Sequence, residues 1–464
     1  MGAANATRDD IGDIGGRLDR LTASRAIWTR VVLLSLGGCF EYYDLFLTGY
    51  IAPGLVRGGI LTPTTSGLFG TSGVASFVAA LFAGLFVGTA LFGFVADRFG
   101  RKTIFTYSLI WYTIASVVMA FQSDAFGLNL WRFIAGVGIG VELVTIDAYI
   151  AELVPAALRG RAFAYNSAVQ FVAVPVVAFL AWLLVPNAPF GIDGWRWVVL
   201  IGSLGAVFVW WIRLGVPESP RWLAQHGRME EADRALSALE PPGGARPKIS
   251  PPMAPAAAAN PQPGRFGEIW QGPYFVRTVM LIIFNIFQTV GFYGFSNWVP
   301  TLLIKQGISI TQSLQYTFII AIAAPFGPLL ASALGDRFER KWLIVLAAFA
   351  IAAFGLVFGQ TTAALPLIAL GVMLTLSNNV LSFAFHGYQA ELYPTRIRAM
   401  AVGFVYSWSR LSAVFSAFAI AYALQWFGVA GVFALIAGSM LIVMLSIGLL
   451  GPRTSMLSLE TISK

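Results

Sequence analysis

Apolar runs of about twenty residues, separated by short polar loops, occupy most of the chain. A helix needs about 20 predominantly apolar residues to cross a bilayer, and that ruler predicts twelve spans. Six lie at roughly 28–51, 72–96, 104–122, 129–152, 162–185 and 196–216. Six more lie at roughly 276–303, 315–335, 342–360, 366–389, 400–424 and 429–450. Between the two sets the pattern breaks. Residues 217–273 are polar or small, and the Pro/Ala/Gly-rich stretch Glu240–Gly264 suits a mobile linker, not a span. Just before it, Met229–Glu240 has the spacing of a short amphipathic helix lying on the membrane surface. The expected domains are a tail over 1–27, a helical bundle over 28–216, the linker 217–273, a second bundle over 274–450 and a tail over 451–464.

Composition agrees with a membrane protein made of helices. The chain is 57% hydrophobic and only 11% charged, with a mean hydropathy of +0.75, whereas a soluble domain is about a quarter charged. One cysteine, Cys39, and two histidines, His226 and His386, exclude a disulfide framework and a His or Cys metal centre. No cofactor motif, phosphate loop or nucleophile–base set is present, so neither an enzyme nor a nucleotide-driven pump is expected. The net charge of +8 raises the question of nucleic acid, and placement answers it. With the N-terminus inside, Arg98, Lys102, Arg161, Arg228, Arg337, Lys341 and Arg396 all fall on the cytoplasmic side, while the outer loops keep little beyond Arg57 and Lys305. Such a bias sets orientation and faces anionic inner-leaflet lipid. A multi-pass protein of the inner (plasma) membrane with both termini in the cytoplasm is expected, working as a monomer without nucleic acid. The polar start and the length of the first apolar run argue against a cleaved signal.

The two sets of six are repeats. "DRFGRK" at Asp97–Lys102 recurs as "DRFERK" at Asp336–Lys341, and "YIAELVPAALR" at Tyr149–Arg159 recurs as "YQAELYPTRIR" at Tyr388–Arg398. Both recur at an offset of 239 residues (97 to 336, 149 to 388). Paired repeats around a midplane site are the architecture of secondary transporters.

"GFVADRFGRK", Gly93–Lys102, resembles the loop signature that follows the second span in the major facilitator superfamily. The second copy departs from it, with Ser332 and Glu339 in place of glycines. The resemblance covers nearly the whole chain and implies two pseudo-symmetric six-helix bundles that work by alternating access. "PESPRW", Pro217–Trp222, resembles the signature after span six in the sugar-porter branch. Gating charges are then expected at the cytoplasmic end: Asp97 with Arg101, Glu152 with Arg159, Glu218 with Arg221, Asp336 with Arg340, and Glu391 with Arg398.

Ionisable residues inside spans are candidates for function because a lone charge at the bilayer centre costs at least about 2.5–3.5 kcal/mol. Asp44 on span one and Arg132 on span four lie at similar depth and are expected to pair. Proton-coupled sugar porters, which "YYD" and "RFIAGVGIG" resemble, hold an acid and an arginine at matching places, which implies a proton-coupling role for Asp44 and Arg132. Glu41 lies one helical turn deeper and is either a second proton carrier or a substrate contact. Glu142 stands near the midplane in "GIGVEL", which resembles the organic-ion and niacin-transporter branch. Asp147 belongs to either the gate or the cavity. His386 is its repeat mate.

Span seven is aromatic, with Phe287, Phe292, Tyr293, Phe295 and Trp298 beside Gln288, a wall better suited to a flat ligand than to a polyol. Span eleven carries Arg410 near mid-membrane, in a segment that resembles the organic anion transporters. Its planar guanidinium requires either a substrate anion or a buried acid. Asn378, Asn379 and Trp408, with Gln170 and Ser407, complete the expected lining. The function expected is proton symport of a small organic anion, an aromatic or heterocyclic monocarboxylate such as nicotinate. The alternatives are a sugar or polyol symporter, an exporter of organic cations or drugs, and a non-transporting sensor on the same fold.

Overall fold

The computed structural model describes residues 14, 16–65, 67, 73–92, 98–205, 208, 215–240, 265–335 and 337–454. Among the described residues ten stretches are long and apolar enough to cross a membrane. The last, Met400–Leu450, holds two passes. Gly428, at φ 66° and ψ −163°, turns the chain between spans eleven and twelve in a conformation that side chains with a Cβ resist. Gly194–Ser203 supplies the described part of span six. The molecule is therefore an all-α membrane protein of twelve spans in two six-helix bundles, each with its own apolar core.

Two kinds of contact build each half. The first is close helix packing, clearest between span two (Gly73–Phe92) and span four (Ala125–Leu153). A Cβ on Gly84 or Gly88 would lie 2.2 Å from the carbonyl oxygens of Phe133 and Val137. One on Gly136 or Gly140 would lie 2.4 Å from those of Leu81 and Leu85. The two small-xxx-small motifs face each other, so the backbones touch and fix the depth of everything span four carries. Gly136→Val is expected to cost about 3 kcal/mol by overpacking, measured as lost thermal stability in detergent. Unchanged stability would mean that the helices are not in backbone contact.

The second kind is polar closure at the end of the bundle that carries the repeated motifs, here the motif end. Glu218 accepts the backbone N–H groups of Arg101 (3.0 Å) and Lys102 (3.1 Å), placing an anion on the N-terminus of span three. Arg101 pairs with Glu152 at 2.8 Å, and its repeat mate Arg340 pairs with Glu391. The pairings expected within span-four and span-ten loops differ from these. Arg159 donates instead to the carbonyl of Val154 (3.3 Å) and Arg398 to that of Tyr393 (3.2 Å), again at matching places in the two repeats. Each of these arginines folds back over the carbonyl five residues earlier, which draws it away from the acid. Arg221 likewise meets Asp19 at 2.8 Å, and Glu218 is occupied by backbone. Asp97 and Asp336 lie outside the described residues.

The chain before span one also docks at the motif end. Arg17 bridges Asp233 (2.6 Å) and Glu240 (3.0 Å), while Asp19 joins Arg221 and Arg159. Asp233 belongs to the helix Met229–Ser237, and Ile14 and Leu18 are buried beneath.

Candidate transport site

The halves meet through aromatic and apolar contacts. Trp182 of span five stacks on Phe318 of span eight (5.8 Å between centroids), and Phe82 of span two packs on Tyr293 of span seven (4.4 Å). Gly49 of span one lies against the backbone of Asn297, where a Cβ would come within 2.5 Å of its oxygen. Among the described residues no hydrogen bond or ion pair crosses from one half to the other.

Between them, toward the far end, lies a cavity of about 30 Å³ lined by Tyr50, Phe171, Phe292, Asn378 and Asn379 among others. That is room for about one water, so no substrate fits there in this state. On the other side of the midplane, Asp147 and His386 are exposed. Asp147 stands six residues, about 9 Å, inside the end of span four. Both lie within electrostatic reach of Arg410, so their exposure is to an internal vestibule and not to lipid. Asp147, His386 and Arg410 thus border one vestibule on the motif side of the midplane.

Arg410 sits at the head of that vestibule, 5% exposed. Its guanidinium donates to the hydroxyls of Tyr293 (3.2 Å) and Tyr406 (3.3 Å) and lies over the Tyr406 ring at 5.1 Å. Its Nε has no hydrogen-bond partner. Among the described residues no acid forms an ion pair with it. Glu41, Tyr42 and Asp147 of the opposite half are the charged and titratable groups that feel it.

Asp44 and Arg132 come together, buried, at 2.9 Å. Both oxygens of the carboxylate and both terminal nitrogens of the guanidinium are engaged. Ser116 donates to the other oxygen of Asp44 at 3.0 Å, while Arg132 also reaches the Asp44 carbonyl (2.5 Å) and Thr48 (2.6 Å) and lies over the Phe77 ring. Glu41 and Glu142, both wholly buried, contrast with it. None of their four oxygens has a partner.

Other expected lining residues divide by helix face. Phe292 lines the cavity and meets Tyr293 edge-on at 5.0 Å. Phe295 lines the same cavity and packs on Phe358 and Phe433, while Trp298 is 3% exposed within the C-terminal core. Gln288 is turned to Thr289 and Ser409 between spans seven and eleven. Trp408 meets Phe404, which packs on Phe266 and Trp270. Two positions from Arg410 on a helix, it points about 200° away from it, so it does not line the vestibule. Tyr42 and Tyr406 were missed as site residues. Their signals were adjacency to Glu41 and the four-residue spacing to Arg410, which puts two side chains on one face.

Two bundles meeting at a midplane cleft with ionisable groups define a transporter of the major facilitator type. The chain belongs to the sugar (and other) transporter family, whose profile matches residues 31–464. It is similar to the niacin transporter NiaP of Acinetobacter baylyi, 30% identical over 87% of this chain and 88% of that one. The inner membrane metabolite transport protein YdjE of Escherichia coli is 28% identical over 97% and 98%. The fold is that of the proton:xylose symporter XylE, with a TM-score of 0.72, 21% identity, and coverage of 94% of this chain and 98% of that one.

Proposed function

We propose that the protein is a proton symporter of a small organic anion, an aromatic or heterocyclic monocarboxylate such as nicotinate. The observation that carries this reading is Arg410. A buried guanidinium held only by two tyrosine hydroxyls keeps its charge available, and a carboxylate is the planar partner that its fork fits. The Tyr406 ring lies against it and Tyr293 and Tyr42 stand beside it, aromatic groups that favour a flat ligand. A relative named a niacin transporter supports the same class. Protons are taken up by the acids of span one, and rocking of the halves carries anion and proton together. The basic loops place the motif end in the cytoplasm of a cell with the protein in its inner membrane, and one chain carries the whole path.

A second reading is export of an organic cation. Three carboxylates near the midplane, Glu41, Glu142 and Asp147, favour it, since they face one arginine. Proteoliposome uptake separates the two. Radiolabelled nicotinate and benzoate are expected to accumulate under an inward proton gradient, and hexoses and quaternary amines are not. Gradient-driven movement of amines without acid uptake would overturn the anion reading.

A further inference from the structure

Among the described residues, Glu41 and Glu142 are the two carboxyl groups with both oxygens buried and unpartnered. Each is 0% exposed, and neither carboxyl accepts a single hydrogen bond. Glu41 lies on span one and Glu142 on span four, the two spans that the Asp44–Arg132 pair joins, and the charge of Glu41 reaches Glu142. The hydroxyl of Tyr112, on span three, lies among Glu142, Glu41 and Asp44 and is itself buried without a partner. The Ser108 hydroxyl stands beside Glu142 but turns its one proton to the carbonyl of Ile104 at 2.8 Å. From the opposite half, Arg410 and Tyr293 reach Glu41, and Asp147 joins them from span four.

Enclosing two ionised carboxylates without hydrogen bonds is costly, and the cost falls when the site holds a proton. Asp44 poses no such difficulty, because Arg132 and Ser116 satisfy both of its oxygens. Nor does a metal ion fit, since the described residues contain no group of three acidic, histidine or cysteine side chains able to hold one.

We propose that Glu41 and Glu142 form a proton-holding carboxyl pair, distinct from the Asp44–Arg132 ion pair, that carries the transported proton. This rests on the symport reading and names its ion site. The coupling is electrostatic. Arg410 attracts both a substrate carboxylate and the ionised form of Glu41. An anion that neutralises Arg410 removes the charge that opposes protonation of the pair, and a protonated pair removes the carboxylate that competes for Arg410. Proton and anion therefore bind cooperatively, and by linkage each strengthens the other equally. The Asp44–Arg132 ion pair holds spans one and four together.

The test needs no substrate in its first arm. Infrared spectra of the purified protein at neutral pH are expected to show the C=O stretch of a protonated carboxyl. The band should be lost in Glu41→Gln/Glu142→Gln and kept in Asp44→Asn. Glu41→Gln and Glu142→Gln are scored singly as well, so that one unfolded variant leaves the other to decide. No band in the wild type, or a band that survives the double substitution, overturns the proposal. A band abolished by sodium or by tetramethylammonium makes the pair a cation site and overturns it too. In the second arm, Glu142→Gln is expected to lower the ratio of gradient-driven accumulation to counterflow of nicotinate about tenfold. An unchanged ratio refutes the coupling role. If no acid is transported at all, the anion reading fails while the infrared result still decides the pair.

Discussion

Arg410→Ala is expected to abolish measurable binding and uptake of carboxylate substrates. Removing one member of a buried, hydrogen-bonded charge pair costs about 2–5 kcal/mol, or about thirty-fold to several thousand-fold in affinity. Arg410→Lys is expected to rescue little of it, because an ammonium cannot offer two parallel donors to a carboxylate. Tyr406→Phe is a finer probe. It removes one hydroxyl acceptor from Arg410 while keeping the ring beneath the charge, and about 1 kcal/mol of affinity should be lost. Isothermal titration with nicotinate, alongside counterflow in proteoliposomes, measures all three. If the alanine variant takes up acids as the wild type does, Arg410 is structural and the substrate is read elsewhere.

The second large effect concerns stability. Asp44→Ala or Arg132→Ala leaves one charge uncompensated in the core of the N-terminal bundle, at a cost of about 3–5 kcal/mol. Thermal unfolding in detergent should fall sharply in either variant. The double variant Asp44→Asn/Arg132→Met should recover most of the loss, since removing both charges leaves nothing unpaired. Recovery in the double but not the singles identifies an ion pair. Silent single variants would place both groups in water. The same experiment bears on coupling, because an Asp44→Asn protein that folds and still accumulates acid cannot depend on Asp44 for its proton.

Much of this architecture was legible in the sequence because it rests on one-dimensional rules. Bilayer thickness sets the length of each apolar run, and the 239-residue offset reveals the duplication without any coordinates. The approach of Asp44 and Arg132 was legible too, since alternate spans run in opposite directions and depth can be counted along each. Azimuth was harder to read. Trp298 and Trp408 have the right depth to line a site, yet the first packs into the C-terminal core and the second turns toward Phe404. Depth is a property of a helix in a membrane, whereas the direction of a side chain depends on how that helix is rotated against its neighbours. The gating charges show the same limit. Four of them were expected to pair across short loops. Arg159 and Arg398 instead fold back on local carbonyls, so their acids turn to Arg101 and Arg340.

The sequence by itself determined the membrane class, the twelve-span duplication, the transporter family and the depth of every intramembrane charge, because hydropathy, length and repeat offset are additive along a chain. Only the tertiary structure decided which charges are satisfied. Asp44 pairs with Arg132, Arg410 rests on tyrosines, and Glu41 and Glu142 are enclosed without a hydrogen bond. Whether a buried group has a partner depends on several helices converging at one point, and no pattern along a single helix records that convergence.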